Sequence, residues 1–130
     1  VDLLNSGYNK LAIGFYSNPN LKQVIFPKIC NIRDAGFYQC YSLVEIKNSH
    51  NIKRLSGSSF LDCISLERID LSGLTIYDKG VLYGIPNLKE VIVQERIQLD
   101  VLTDLTAIYN KRITCTKISK DLVKIKLIDI

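Results

Sequence analysis

The stretch FYQCYSLVEI at residues 37–46 is answered 23 residues later by FLDCISLERI at residues 60–69. Phe, Cys, Ser, Leu and Ile fall on the same places in both. Reading outward, the same frame runs through FYSNPNLKQVIF (15–26) and LYGIPNLKEVIV (82–93), so that Phe15, Phe37, Phe60 and Leu82 step by 22, 23 and 22. Leu21, Leu43, Leu66 and Leu88 keep those steps, as do Val24, Ile46, Ile69 and Val91. Three apolar columns sharing one spacing through four units are an internal repeat, the feature to read before any other.

A unit of this length is too short to bury its own core and must pack on its neighbours. Leu66-Glu67-Arg68-Ile69-Asp70-Leu71 alternates apolar and polar residues, as a half-buried strand does. Such strands are expected near residues 24, 46, 69 and 91, paired as one parallel sheet about 4.8 Å apart. The returns, such as residues 34–40, are expected to be helical or 3-10 turns whose Phe fills the interior. A second apolar pair precedes each Phe or Leu: Ile29 and Ile32, Ile52 and Leu55, Leu74 and Tyr77. Ile97, Leu105 and Ile108 mark a weaker fifth unit, 23 residues after Leu74, Leu82 and Ile85. The expected fold class is an α/β repeat: a right-handed leucine-rich-repeat solenoid with short parallel strands on its concave face and short helical, 3-10 or irregular returns. One domain is expected over 1–130, with a degenerate unit at 1–14, four clear repeats at 15–95, and a degenerate repeat with a C-terminal cap at 96–130.

The units at 36–46 and 59–69 resemble the BspA-type leucine-rich repeat, whose pattern runs Ala-Phe-x-x-Cys-x-Ser-Leu-x-x-Ile. The first unit departs from it with Asn18 at the Cys place, and the fourth with Leu82 for Phe and Ile85 for Cys. The resemblance implies adhesion or binding rather than catalysis, in a cell-surface or secreted protein.

Composition agrees with a globular domain. The 130 residues are 47% hydrophobic and 23% charged, too apolar for a disordered tail, and no apolar run is long enough for a membrane span. The chain begins at Val1 rather than Met, from which a fragment of a longer repeat protein is expected. Its net charge of +4 lies at one end. Residues 1–109 carry 11 basic and 11 acidic side chains, whereas 110–130 carry six basic ones against Asp121 and Asp129. Lys124-Ile125-Lys126-Leu127-Ile128 reads as a last strand whose lysines protect an edge, within strand structure expected over 122–128. No aromatic interleaving accompanies these lysines, so nucleic acid is not an expected partner.

Candidate chemistry is sparse. Four Cys are too few for a disulfide framework, and their spacing forms no zinc motif. Cys40 and Cys63 share one slot of the repeat and read as interior filler with free thiols, while Cys30 and Cys115 have no aligned partner. His50, the single imidazole, sits in a polar turn with no nucleophile motif beside it, which leaves a cysteine/histidine hydrolase as a minor alternative. Residues 56–59 lack the Gly-Lys-Ser/Thr of a phosphate loop. No catalytic residue, metal, cofactor or small-molecule substrate is expected.

The remaining candidates lie on the strands. Residues flanking each inward Val or Ile point outward, giving one column of Gln23, Glu45, Arg68 and Glu90 and another of Ile25, Lys47, Asp70 and Ile92. These eight are the candidate partner-binding residues, with Ile25 and Ile92 as exposed apolar contacts. The competing reading is a self-satisfied ladder in which Glu45, Arg68 and Glu90 alternate in sign and Lys47 faces Asp70. A further column of Tyr16, Tyr38, Leu61 and Tyr83 reads as an interface or as a packed ridge. The function expected is a protein-protein interaction module, with a structural spacer as the alternative.

Overall fold

The computed structural model describes residues 12–13, 18–26, 28–32 and 34–130. Phe15 and Tyr16, and nearly all of the expected N-terminal unit, lie outside the described residues. The elements are β1 (Ala12–Ile13), β2 (Gln23–Ile25), β3 (Cys30–Ile32), β4 (Glu45–Lys47), β5 (Ile52–Leu55), β6 (Arg68–Asp70), β7 (Glu90–Gln94), α1 (Gln98–Ile108), β8 (Lys111–Lys117) and β9 (Leu122–Asp129), with 3-10 turns at Ser49–Asn51 and Glu95–Ile97.

β2, β4, β6 and β7 fall on the expected centres, and the repeat spacing becomes strand register. β2 pairs with β4 in parallel, Gln23 opposite Glu45, Val24 opposite Ile46 and Ile25 opposite Lys47. β6 pairs with β7 likewise, Arg68 opposite Glu90 and Asp70 opposite Ile92. The expectation of one continuous sheet is corrected, since β4 and β6 belong to separate sheets. The break coincides with the 23-residue step between the second and third units. Buried Ser49 stands three residues after Ile46, where Phe26 and Leu71 stand two after Val24 and Ile69. The additional residue is Asn48, held at a left-handed φ of 60°. Across this join the Asp70 N–H donates to the Ser49 hydroxyl at 3.2 Å.

The repeats also build a third sheet that the expectation of one strand per repeat did not include. β1, β3 and β5 pair in parallel, with a bulge between Cys30 and Asn31. That bulge corrects the expected pair of Ile29 and Ile32. Ile29 is 60% exposed, and Cys30 takes the inward place opposite Ile52.

The returns at 34–39, 57–62 and 80–84 are turns rather than helices. Two left-handed places recur in each: Ala35, Ser58 and Gly80 before the inward Phe or Leu, and Gln39, Asp62 and Gly84 after it. A helix cannot continue through such residues. The turns bond instead to the next repeat, Phe37 N–H to Ser59 O at 2.7 Å and Gln39 N–H to Leu61 O at 2.9 Å. Phe37 and Phe60, Leu43, Leu66 and Leu88, and Val24, Ile69 and Val91 are all buried in one core, with Ile46 packed at its margin.

The C-terminal part departs from the repeat. Of the three residues read as a fifth unit, Ile97 and Leu105 are buried in the core and Ile108 is half-buried outside it, and they stand on a 3-10 turn and α1. Asp104 on α1 is buried; it accepts from the Tyr77 hydroxyl and, at 2.9 Å, from the Gly80 N–H. The expected tail strand is present as β9, and β8 joins it as an antiparallel partner that periodicity could not foretell. β9 in turn pairs antiparallel with β7, giving the strand order β6-β7-β9-β8.

Candidate functional site

The eight candidate residues occupy the outward places of β2, β4, β6 and β7. Glu45, Lys47 and Arg68 are exposed, while Gln23, Ile25, Asp70, Glu90 and Ile92 are half-buried. Ile25 and Ile92 are therefore less open than the sequence reading took them to be. Because β4 and β6 lie in separate sheets, the columns are brought together as two sets, 23/45 with 25/47 and 68/90 with 70/92.

The charge ladder closes on other partners than those expected. Gln23 Nε2 donates to Glu45 Oε2 at 3.0 Å, and Lys47 Nζ lies 3.9 Å from the same carboxylate. Arg68 turns to Glu67 at 3.7 Å, and Glu67 also receives Lys89 at 3.1 Å. Glu90 pairs with Lys124 at 3.8 Å. The Asp70 carboxylate accepts from the Ser72 N–H at 2.8 Å and so spends itself on its own turn.

Sequence reasoning missed the continuation of this face onto the terminal hairpin. Glu90 lies opposite Lys126 and Ile92 opposite Lys124, and residues directly opposite each other share a face of the sheet. The outward columns thus run on from the repeats into β9 and turn basic there. A cleft of about 420 Å³ opens over this junction, lined among others by Arg68, Lys89, Glu90, Lys111, Lys126 and Ile128. The charge excess of residues 110–130 was the available signal. What the sequence lacked was the antiparallel register that carries it to Glu90.

A family model for the BspA type leucine rich repeat region matches residues 12–127 in six copies. The chain belongs to the BspA-type leucine-rich repeat family. Searches of curated proteins and of solved structures each returned no match.

In this BspA-type repeat each pattern residue has a physical task. The Cys63 thiol donates to the Phe37 carbonyl of the preceding unit at 3.1 Å, and the Ser65 hydroxyl to Tyr41 O at 2.7 Å. At the last unit the Tyr109 hydroxyl serves the Leu82 carbonyl in the same manner. The four cysteines are reduced thiols, with Cys30, Cys40 and Cys63 buried and Cys115 exposed. Burial pushes the Cys30 thiol up to about 11. Burial, helped by the neighbouring Cys40, pushes Cys63 up to about 12. Thiols so raised stay protonated at neutral pH, the opposite of what a nucleophile or metal ligand needs.

The other candidates are quickly placed. His50 is exposed on its 3-10 turn. Ser59 is buried, its hydroxyl donating to the Ser56 carbonyl within its own turn. In the tyrosine column, Tyr38 and Leu61 are half-buried and Tyr83 is exposed. Among the described residues no group of His, Cys, Asp or Glu could hold a metal ion, and no helix is long and apolar enough to cross a membrane.

Proposed function

We propose that this BspA-type chain is a non-catalytic protein-protein interaction module, an adhesion or ligand-binding segment of a longer repeat protein. The observation that carries the reading is the in-register pairing of the outward columns, Gln23 with Glu45 and Arg68 with Glu90. The alternate residues of the same strands fill the core, so packing of the core does not dictate the identity of the outward ones. In this reading the repeats are turns of a right-handed solenoid, β2, β4, β6 and β7 lie on its concave face, and residues 1–130 form one domain closed by a C-terminal cap. The reading is supported by the family, by parallel pairing between successive units, and by the single apolar core. A cell-surface or secreted setting is what the family supports. An extended open surface suits a macromolecule better than a small substrate.

The test immobilises the chain and offers it an extract of its source cells, beside Arg68→Glu/Ile92→Asp on the face and Lys79→Glu off it. A partner kept by the wild type and Lys79→Glu but lost by the face variant supports the reading. A partner kept equally by all three places binding elsewhere, and capture by none favours the spacer.

A further inference from the structure

We propose that the cleft at the β7–β9 junction takes the carboxylates of an extended acidic segment of a protein partner. The inference rests on the interaction-module reading and names the chemistry of the ligand.

Lys111 lines the cleft. Its side chain is only 14% exposed, and Nζ donates to Pro86 O at 2.9 Å and Leu88 O at 3.3 Å. The ammonium is thus fixed by backbone rather than by an anion. The carboxylate that approaches it is Asp129, at 3.7 Å and itself 90% exposed. So long and wet a pair is weakly held, and a partner's carboxylate could take its place.

The other cations are also under-paired. Arg68 and Lys89 share the one carboxylate of Glu67. Lys126 is exposed, and apart from its backbone pairing in the sheet its side chain makes no ion pair or hydrogen bond among the described residues. Glu90, the acid within the cleft, is taken by Lys124. Among the described residues that line the cleft, Arg68, Lys89, Lys111 and Lys126 stand against Glu90 and Asp129, an excess of two positive charges. Ile128, 42% exposed on the rim, adds an apolar foothold.

Geometry gives the spacing of the ligand. Arg68 and Lys126 flank Glu90 on the two strands beside it. At about 4.8 Å per strand they stand roughly 10 Å apart, the reach of about three extended residues. Carboxylates three residues apart on an extended segment crossing the strands would meet both. A nucleic acid suits the cleft less well, because Glu90 and Asp129 would oppose its phosphates and no aromatic side chain lines it for stacking.

Fluorescence anisotropy with a labelled peptide of Glu-Ser-Gly repeats tests this, with a Gln-Ser-Gly peptide and poly-uridylate as comparisons. The expected result is binding of the Glu peptide that weakens with added salt, and falls at least about tenfold in Arg68→Glu/Lys126→Glu. Asp129→Asn, at an exposed position, should tighten binding severalfold by freeing Lys111, a gain that misfolding could not produce. Equal binding of the Gln peptide, tighter binding of poly-uridylate, or no change in either variant would overturn the proposal. So would a Glu peptide that fails to bind while a native partner is still lost on Arg68→Glu/Ile92→Asp. That last outcome discards the acidic chemistry and leaves the face as the binding site.

Discussion

The rings of Phe37 and Phe60, one repeat apart, lie 5.3 Å between centroids and 6° from parallel. Phe26 meets the edge of this pair, 6.0 Å from Phe37 at 84°. Repetition of one apolar place along the chain thus becomes repetition in space. Stacked aromatics add roughly 0.5–1.5 kcal/mol to their area burial, and the neighbouring Leu column fills the same core.

Leu66 is fully buried in the middle of that column. Leu66→Ala should lower the unfolding free energy by about 2–5 kcal/mol, measured by urea denaturation. Ile29→Ala, on the outside of the bulge, should cost less than about 0.5 kcal/mol. Comparable losses at the two positions would show that Ile29, not Cys30, faces the core.

Two glycines are fixed by different constraints. A Cβ on Gly73 would stand 1.8 Å from the His50 carbonyl oxygen, a backbone atom of the preceding repeat. On Gly84, at φ +78°, a Cβ would meet the Leu61 side chain at 2.2 Å. Gly73→Ala should destabilise the fold by several-fold more than a surface Ala substitution, with a clear drop in melting temperature, because main chain must move to admit it. An unchanged melting temperature would contradict this approach of the two repeats.

Thiol chemistry should separate the cysteines. In the folded chain a thiol reagent at neutral pH should modify Cys115 quickly, and Cys30, Cys40 and Cys63 only on unfolding. The raised pKa values also set a sign. From the ordinary 9.0 up to about 11 and about 12, the unfolded chain releases protons that folded Cys30 and Cys63 retain. Their contribution is therefore full below pH 9 and lost as pH rises through that window. Stability that rises with pH there, in a Cys30→Ala-controlled comparison, would contradict the burial of these groups.

The Tyr77 hydroxyl ties the repeats to α1 through the buried carboxylate of Asp104. Burial, and then the bond to Asp104, hold that hydroxyl protonated far above the ordinary range. Tyr77→Phe leaves the carboxylate one donor short and should cost about 1–3 kcal/mol. Hydrogen exchange should speed up in residues 98–108 more than in β4.

What the sequence made legible follows from which constraints repeat. The Leu and Val/Ile columns, Ile46 at the margin apart, are buried alike, so their spacing exposed both the core and the register of Gln23 with Glu45. Ile29 was misread because the bulge at Cys30 shifts the inward place by one residue. The break between β4 and β6 was hidden in the 23-residue step, whose excess falls at Asn48 and leaves the columns intact. The charge partners were not legible because Glu67, outside the outward columns, collects both Arg68 and Lys89. β8 and its hairpin with β9 occur once, so no periodicity announces them, although the lysines of β9 did.

Lysine footprinting of the chain with its captured partner is the most direct measurement of where binding occurs. Acetylation is compared with and without partner at Lys47 and Lys126, on the strand face, and at Lys79, which is exposed elsewhere. Binding through the strand face should protect Lys47 and Lys126 and leave Lys79 as reactive as in the free chain. Protection of Lys79 with Lys47 and Lys126 still fully reactive would contradict it.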